Sequence, residues 1–504
     1  MFGSVHAPEI NQPDLEWFNC KAPVSLADLR GRVVILDFWT YCCINCHHVL
    51  PALKAAEEAF PDDLTVVGVH SPKFDAERDS EHLRQAILRH DIRHPVVQDT
   101  NMTLWQHYAV RAWPTLVFIS PDGYVIGNHS GEVDADALIV AIADIRTKAQ
   151  SAHLISPSPL ELVQENRDSE RLSFPGQIRA FSSGNPGLQK AKWMLADSGH
   201  NQIVLFEDST DGKPEETLRL GTGQDDLVDG SFEDCCFSNP QGLVAHEDFI
   251  YVADTGNHAL RRIDLKNRIV ETLAGDGRRG PVIARSWRGD DSLLASPWDL
   301  ALRDDILFIA NAGTHQILGY DLNKDMLSPL AGNGIEGLLD GDAMAAQLAQ
   351  PSGLALDSNG QRLYFTDSET SSIRFVELEG HSTVHTIAGQ GLFEFGFRDG
   401  DAGESLFQHP LALVWRKSRE EENTKGELVV ADSYNNALRV IDLEDQTVTD
   451  LPYNSYSCSD DLCIPLMEPA GIAVTENGIL VSDCNNHRIV MIDEKKEKRS
   501  TLYK

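Results

Sequence analysis

The sequence lacks most of the features that would set it apart from ordinary globular proteins. Its 504 residues contain only nine cysteines, which are too few for a disulfide scaffold. No apolar run approaches the ~20 residues that cross a bilayer, and the N-terminus has neither the basic nor the apolar region of a signal peptide. We therefore expect a cytoplasmic protein without a membrane role.

Positive charge is also scarce. Lys and Arg number 43 against 77 Asp and Glu, which gives a net charge of −34. Of this charge, −8 belongs to residues 1–150 and −26 to the rest. Such an acidic surface repels phosphate backbones, so we expect no nucleic-acid partner. A protein partner with a basic or neutral face is favoured instead.

The first 148 residues alternate strand-like and helix-like segments. Residues 33–39 and 64–70 are continuous apolar runs of the buried-strand type, and residues 116–126 are typical of a hairpin. Apolar residues at helical spacing occur in residues 47–60, 76–90 and 134–148. The pattern predicts an α/β domain over residues 1–148, followed by a linker over residues 149–170.

Residues 171–504 consist of six repeats. Each unit begins with Pro-x-Gly or a variant, continues as strand, polar turn and strand, and in most cases ends in Ala-Gly. The aligned turn residues are Asp197, Asp254, Asn311, Asp367, Asp432 and Asp483. Short polar side chains suit such a turn because they hydrogen-bond their own backbone.

Six four-stranded antiparallel units that cannot bury their faces alone close most naturally into an all-β six-bladed β-propeller. A linear solenoid is the alternative, but it needs capping repeats that the sequence does not show. Either terminus could supply the strand that closes the ring. The fold class predicted for the chain is thus an α/β domain followed by a propeller.

A Cys-x-x-Cys pair stands between the first apolar strand and the helix that follows it. Cys43 would lie at the helix N-terminus, where free N–H groups and the helix dipole stabilise a thiolate. Cys46 would lie one turn further, close enough to attack a mixed disulfide. We therefore predict Cys43 as the nucleophile and Cys46 as the resolving thiol.

Residues 5–148 resemble thioredoxins, in particular the TlpA/ResA-like branch. The matching motifs are Asp37-Phe-Trp39 before the cysteine pair, a proline five residues after it, and Trp113-Pro-Thr before the hairpin. The resemblance implies that Pro114 is cis and faces the two sulfurs. It also implies that Asp37 assists removal of the proton from the resolving thiol. We expect Trp39 and Trp113 to contact the substrate.

Three positions depart from that family. Cys42 stands where the family usually has Trp, Ile44-Asn45 replaces Gly-Pro, and the bulky Trp113 precedes the proline. Cys42 is either a third redox thiol or a small buried apolar residue. Asp37 is either the proton-handling carboxylate or a strand residue that caps a neighbour.

The repeats resemble NHL repeats, whose Asn-His turn appears as Asn257-His258 and Asn486-His487. A thioredoxin-like domain followed by such a propeller resembles the NHL repeat-containing protein 2-like family over almost the whole chain. We expect a monomeric thiol–disulfide oxidoreductase without cofactor or metal, whose propeller recruits a protein substrate or partner. The alternative is a non-enzymatic scaffold that binds through the propeller face and keeps idle cysteines.

The cysteines also allow other interpretations. Cys43-x-x-Cys46-His47 also matches the haem-attachment pattern, which requires export. A zinc site that included Cys42 would have poor geometry, because adjacent residues point in different directions. Cys458 and Cys463 lie in one loop, and we expect free thiols there, with a bridge as the alternative.

The Gly-Asp-rich loops of the repeats, residues 339–342 and 398–401, supply oxygen ligands that suit Ca²⁺. Their recurrence at one place in the repeat favours a structural turn. Catalysis in the propeller itself would need a convergent set of His, Asp or Glu side chains at the axis.

Overall fold

A computed structural model divides the chain into two units, Met1–Ser169 and Glu170–Lys504. The structure describes residues 5–158, 160–166, 170–182, 188–208, 214–418, 425–458 and 464–504. No helix within these residues is long and apolar enough to cross a membrane.

The described residues of the first unit form a seven-stranded mixed sheet with four α-helices. Its strands are β1 Val5–His6, β2 Glu16–Phe18, β3 Val33–Trp39, β4 Leu64–His70, β5 Val96–Gln98, β6 Thr115–Ile119 and β7 Tyr124–Ser130. Its helices are α1 Ile44–Ala59, α2 Ser80–Arg89, α3 Thr103–His107 and α4 Ala135–Ser151, with a 3₁₀ turn at Ala76–Arg78. The spatial order β1-β7-β6-β3-β4-β5-β2 places β3 at the centre, parallel to β4 and antiparallel to β6. This arrangement confirms the predicted thioredoxin-like α/β fold.

The two central strands are buried along their whole length, which is why their apolar runs predicted their bounds correctly. The helix predicted over residues 76–90 is instead divided at Asp79. The Asp79 carboxylate accepts hydrogen bonds from the backbone N–H groups of Glu81 and His82, at 2.8 and 3.1 Å, and so caps α2. Asp134 caps α4 in the same way.

The segment predicted as a linker lies along the first unit. The backbone N–H of Ser156 donates to the carbonyl of Gly31 at 3.1 Å, and that of Val163 donates to Asn19 at 3.2 Å. Glu165 pairs with Arg84 at 3.0 Å. These contacts use backbone atoms and single ion pairs rather than a periodic apolar face, so the sequence pattern lapses there.

The described residues of the second unit form six sheets, antiparallel except for the short pairing of residues 457–458 with residues 498–499, which confirms the predicted six-bladed propeller. Blade 1 has the strands β8 Pro175–Ala180, β9 Ala191–Asp197, β10 Gln202–Asp208 and β11 Pro214–Leu220. Blade 2 has β12 Gly230–Ser231, β13 Pro240–His246, β14 Phe249–Asp254, β15 Ala259–Asp264 and β16 Ile269–Ala274. Blade 3 has β17 Trp287–Arg288, β18 Pro297–Arg303, β19 Ile306–Asn311, β20 Gln316–Asp321 and β21 Met326–Ala331.

The remaining blades follow the same plan. Blade 4 has β22 Gly341–Asp342, β23 Pro351–Leu356, β24 Arg362–Asp367, β25 Ser372–Glu377 and β26 Thr383–Ala388. Blade 5 has β27 Gly400–Asp401, β28 Ala412–Arg416, β29 Glu427–Asp432, β30 Ala437–Asp442 and β31 Thr447–Asp450. Blade 6 has β32 Ser457–Cys458, β33 Pro469–Val474, β34 Ile479–Asp483, β35 Arg488–Asp493 and β36 Lys498–Tyr503.

The ring closes without a strand shared between the termini, because each sheet is built from consecutive strands. The innermost strands β8 and β33 lie side by side: a Cβ at Gly471 would stand 2.6 Å from the carbonyl oxygen of Gly176. Glycine at this position therefore permits the close approach of blades 6 and 1.

A repeated hydrogen bond joins every blade to the next. The residue with positive φ after each polar turn accepts a hydrogen bond, through its side chain, from a backbone N–H at the start of the following blade. The six pairs are Asn201–Asn239, His258–Ser296, His315–Gln350, Ser371–His409, Asn436–Glu468 and His487–Phe174. The last pair joins blade 6 to blade 1, so the Asn-His turn contributes to closure of the ring.

The sequence predicted that the aligned turn aspartates bond the backbone of their own turn, and the structure shows other partners. In blade 2, one oxygen of Asp254 accepts from the backbone N–H of Ser238 at 2.8 Å, and the other accepts from Asn257 at 2.9 Å and Arg261 at 2.7 Å. The carboxylate is buried and therefore requires these partners. Asp254 thus ties the loop between blades 1 and 2 to β15 of its own blade.

Candidate redox site

Cys43 is the N-cap residue of α1 and is partly exposed. Its carbonyl oxygen accepts hydrogen bonds from the backbone N–H groups of Cys46 and His47, at 3.0 and 3.3 Å, and these bonds begin the helix. Its side chain caps no N–H group. The structure therefore places the predicted nucleophile at a helix N-terminus, where a substrate can reach it.

Cys46 lies one turn along the same helix and is 1% exposed. Burial raises the pKa of its thiol well above the usual value, and the hydrogen bond with the Cys43 side chain and the nearby negative charges act in the same direction. Cys46 is therefore protonated at neutral pH. It needs a base before it can attack a mixed disulfide.

Asp37 supplies a carboxylate on the central strand β3, and it is also 1% exposed. Burial raises the pKa of Asp37 to about 7, while the charge of His94 acts in the opposite direction. Neither carboxylate oxygen accepts a hydrogen bond from the residues that the structure describes. The alternative interpretation of Asp37 as a cap for a neighbour is therefore wrong, because it caps none of them.

The Trp113–Pro114 peptide bond is cis, as the resemblance implies, and it leads directly into β6. Pro114 is buried, whereas Trp113 is partly exposed. The Trp113 indole N–H donates to the carbonyl of Ser71 at 3.1 Å, and its ring lies 4.5 Å from the ring of Trp105. Trp113 thus presents a fixed aromatic surface that suits the predicted substrate contact.

Trp39 does not present such a surface. Its side chain is completely buried on β3, and its ring meets His70 edge to face at 5.3 Å. The prediction that Trp39 contacts the substrate is therefore wrong. Asp37 and Trp39 are two residues apart on a strand, so both point to the same face of the sheet, which is buried.

Cys42 is buried beside the cysteine pair. Its sulfur lies 3.7 Å from Oγ1 of Thr40, and its backbone N–H donates to Glu77 at 3.1 Å. These surroundings fit the interpretation of Cys42 as a small buried residue rather than as a third accessible thiol.

Glu77 is a site residue that the sequence did not indicate. Its carboxylate is completely buried and accepts hydrogen bonds from the hydroxyl of Thr40 and from the backbone N–H groups of Cys42, Lys73 and Phe74. It therefore ties the loop that precedes Cys43 to the segment after β4. In the sequence Glu77 stands among other charged residues, and no periodic pattern marks it as buried.

The two histidines after the cysteine pair have partners of their own. Nδ1 of His48 lies 2.7 Å from a carboxylate oxygen of Glu132, and Nε2 of His47 lies 3.0 Å from the carbonyl of Tyr41. Within the described ranges, no three His, Cys, Asp or Glu side chains are grouped so that they could hold a metal ion. The geometry of the motif thus gives no support to the zinc alternative.

The Gly-Asp-rich loops of the propeller use their carboxylates for internal contacts. Asp340 pairs with Arg374 at 2.8 Å and accepts from the backbone N–H of Thr386 at 2.8 Å. Asp342 accepts from the backbone N–H of Met344 at 3.0 Å. These bonds support the structural interpretation of the loops.

Two propeller cysteines were expected to be free thiols in one loop. Cys458 is free, and Cys463 lies outside the described residues.

A buried ion pair crosses the axis of the propeller. Arg179 of blade 1 pairs with Asp299 of blade 3 at 2.6 Å, and Gln177 donates to the same carboxylate at 3.1 Å. Asp299 also accepts from the backbone N–H of Leu354 in blade 4, at 2.9 Å. The Asp299 carboxylate is thus taken by internal donors, and arginine has no acceptor atom for a metal ion, so this centre does not supply the set that catalysis at the axis would need.

Comparisons with known proteins match the same two parts of the chain, the α/β domain and the propeller. A family model described as thioredoxin-like matches residues 31–125, and an NHL repeat model matches residues 466–490. Protein SUPPRESSOR OF QUENCHING 1, chloroplastic, from Arabidopsis thaliana is 38% identical over 97% of this chain. The chain spans about half of that relative, 47% of its length.

Two vertebrate relatives match over a larger share of their own length. NHL repeat-containing protein 2 of Bos taurus is 36% identical over 95% of this chain and 69% of the relative. The Homo sapiens protein of the same name is 35% identical over 97% of this chain and 70% of the relative. On identity and coverage together, the chain belongs to the NHL repeat-containing protein 2 family.

Proposed function

We propose that the chain is a thiol–disulfide oxidoreductase with Cys43 as the nucleophile and Cys46 as the resolving thiol. The observation that carries the proposal is the combination of three groups on β3 and α1. Cys43 is partly exposed at a helix N-terminus, Cys46 is buried and hydrogen-bonded to it, and Asp37 is buried without a hydrogen-bond partner among the described residues. A purely structural carboxylate would be bonded, as buried polar groups generally are.

The reaction follows from this arrangement. The Cys43 thiolate attacks a substrate disulfide, which forms a mixed disulfide and releases one substrate thiolate. Asp37 takes the proton of Cys46, and the new thiolate attacks the sulfur of Cys43. The second substrate thiolate leaves, and the Cys43–Cys46 disulfide remains, so two electrons have passed to the substrate. A thiol reductant must then reduce the pair again.

The propeller serves in this proposal as the module that binds a protein substrate or partner. The acidity of the chain beyond residue 150 supports a partner with a basic or neutral face. The ion pair between Arg179 and Asp299 fills the axis with internal contacts and supports binding at the surface instead. The cytoplasmic location and the monomeric state stay predictions.

The experiment is reduction of insulin disulfides by dithiothreitol in the presence of the full chain. We expect the wild type to accelerate the reaction over a dithiothreitol blank, and Cys43→Ser to return it to the blank rate. Cys20→Ser is the matched control, because it removes a partly buried cysteine from the same unit. A wild type no faster than the blank would contradict the proposal and favour the scaffold alternative.

A further inference from the structure

We infer that His94 and Glu57 form the route by which a proton leaves Asp37 for solvent during disulfide exchange. The inference rests on the proposed oxidoreductase function. Asp37 is buried, and it must lose any proton that it carries before it can take the proton of Cys46, so a second group has to accept that proton. The structure places one such group beside Asp37 and connects it to the surface.

The first link is the space above Gly68. Asp37 pairs with Gly68 across β3 and β4, and residues paired in this way present their side chains on the same face of the sheet. A Cβ on Gly68 would stand 3.4 Å from Nε2 of His94. The His94 ring therefore shares the space that Gly68 leaves open with the Trp39 indole and with Val96, which lie 3.1 and 3.3 Å from the same Cβ position. The strand that carries Asp37 is one strand spacing, about 5 Å, from Gly68.

The second link is the orientation of the His94 ring. Its Nδ1 lies 3.3 Å from a carboxylate oxygen of Glu57 on α1, and the side chain of Glu57 is 32% exposed. When Nδ1 carries the proton and donates it to Glu57, Nε2 is left as an acceptor. Nε2 is buried and has no hydrogen-bond partner in the described part of the chain, which leaves it available to Asp37.

The backbone at His94 is fixed independently of Glu57. The buried side-chain amide of Asn19 donates to the carbonyls of Ile92 and His94, at 2.7 and 3.1 Å. A change at Glu57 therefore leaves the backbone that carries the ring in place.

The other titratable groups near this face do not offer the same route. Cys46 on α1 is the source of the proton. His70 on β4 is completely buried between the rings of Trp39 and Tyr41, and burial lowers its pKa to about 3. Burial also lowers the pKa of His90, at the end of α2. Both histidines stay neutral at pH 7 and are poor proton acceptors.

The proton balance is simple. The carboxylic acid of Asp37 gives its proton to Nε2 of His94, directly or across one water molecule, and the proton on Nδ1 passes to Glu57 and then to solvent. Asp37 is again a carboxylate, and the imidazole is neutral with its proton on the other nitrogen. When reductant restores the two thiols, the proton that returns to Cys46 travels inwards along the same groups and resets the ring.

The test uses the reduced full chain and 5,5′-dithiobis(2-nitrobenzoic acid) in stopped flow. Attack by Cys43 releases a first thionitrobenzoate, and attack by Cys46 on the mixed disulfide releases a second. The trace of the Cys43→Ser/Cys46→Ser variant is subtracted to remove the other cysteines. The second phase reports the step that needs Asp37, and the first phase does not.

We expect His94→Gln to slow the second phase about tenfold at pH 7, a smaller effect than that of a directly acting general base. The first phase should be unchanged. The pH midpoint of the second phase should rise, because His94 carries a positive charge while it holds the proton in transit, and that charge favours ionised Asp37. Glu57→Gln should slow the same phase about threefold, a modest share of the effect of a positioned base. Glu58→Gln, an exposed acid next to it on α1, should change neither phase.

Each outcome bears on the inference separately from the proposed function. If the wild type lacks a second phase, the oxidoreductase proposal fails and the inference fails with it. If the wild type has both phases, but His94→Gln and Glu57→Gln share its second rate and pH midpoint, the proton route is overturned and the function stands. An equal slowing of both phases at an unchanged midpoint would indicate a structural role and would also overturn it. Should His94→Gln fail to fold by circular dichroism, Glu57→Gln decides.

Discussion

The two units of the chain contain the same buried group in opposite surroundings. Asp37 in the first unit and Asp432 in blade 5 are both inaccessible to solvent, and burial raises the pKa of each to about 7. Asp432 accepts hydrogen bonds from Gln408, Asn435 and Arg439. Asp37 accepts none from the described residues. The hydrogen bonds, rather than burial or pKa, distinguish the carboxylate available for chemistry from the structural one.

Blade 3 shows that the propeller treats the carboxylate and its arginine as one unit. Asn311 replaces the turn aspartate there and still accepts a backbone N–H, from Ala295 at 3.0 Å. In blade 6, Arg488 donates to the turn aspartate Asp483. The corresponding residue in blade 3 is Gln316. Gln316 donates to backbone carbonyls instead of to a carboxylate. Both charges are lost together, so no buried charge is left unpaired.

The largest effect is expected where a bonded carboxylate is removed. Asp432→Ala should destabilise the propeller by about 3–5 kcal/mol, because it leaves the buried guanidinium of Arg439 without its buried partner. Calorimetry of the full chain would show the propeller transition at a lower temperature. Asp445→Ala, an exposed aspartate of the same blade, is the control and should leave it unchanged. Equal transitions in the two variants would remove the distinction between the two kinds of carboxylate.

Asp37→Asn should stabilise the folded chain, whereas Asp432→Ala destabilises it. The folded-state pKa of Asp37 is about 7 and the ordinary value is 3.8, so the folded chain binds the extra proton between these two pH values. Stability of the wild type therefore falls as pH rises from about 4 to about 7. After the cost of burying an amide, the variant should be more stable by about 3 kcal/mol at pH 8.

The gain from Asp37→Asn should shrink steadily as pH is lowered from 7 to 4, because the wild type then carries a neutral carboxyl group. The measurement is calorimetry of the first unit's transition in the full chain at pH 8, 7, 6 and 5. A variant less stable than the wild type at pH 8 would show that Asp37 has structural partners after all.

Asn311→Asp places a carboxylate in blade 3 without an arginine. We expect a loss of about 2 kcal/mol, the cost of a buried charge with incomplete pairing. The double variant Asn311→Asp/Gln316→Arg reproduces the arrangement of Asp483 and Arg488 and should recover most of the loss. A single variant as stable as the wild type in chemical denaturation would contradict the paired-unit interpretation.

The smallest effect is expected at the hydrogen bond that joins blade 6 to blade 1. His487→Ala removes the acceptor for the backbone N–H of Phe174 and should cost about 1 kcal/mol. His487→Asn should be close to neutral, because Asn201 and Asn436 make the same bond in other blades. Thermal unfolding of the full chain compares the two. Equal losses for both variants would mean that packing of the ring, rather than the hydrogen bond, matters at this position.

The sequence predicted the parts whose signal is periodic or local. The buried runs of β3 and β4, the six repeats and the cysteine pair between strand and helix each repeat or cluster along the chain. The three-residue strands β2 and β5 and the short α3 were missed because they are too brief to show a period. The role of Trp39 was predicted wrongly because the family resemblance marks the residue and not its exposure.

The polar groups around the site could not be predicted for a different reason. Glu77 contacts Thr40 across 37 positions, and Glu57 contacts His94 across the same separation. Each is a single polar residue in a segment that otherwise resembles a solvated surface. Such long-range pairs leave no pattern in one sequence, whereas in the structure they are marked by buried carboxylate and imidazole groups.

The most direct test of the account is an equilibrium titration of the full chain against reduced and oxidised glutathione, read by mass after alkylation. We predict one two-electron transition in which Cys43 and Cys46 are protected together. The buried Cys235, Cys236 and Cys484 of the propeller should stay reduced, and so open to alkylation after unfolding, at every ratio. A pair that stays reduced throughout, or a disulfide formed first in the propeller, would contradict the assignment of the reactive centre to the first unit.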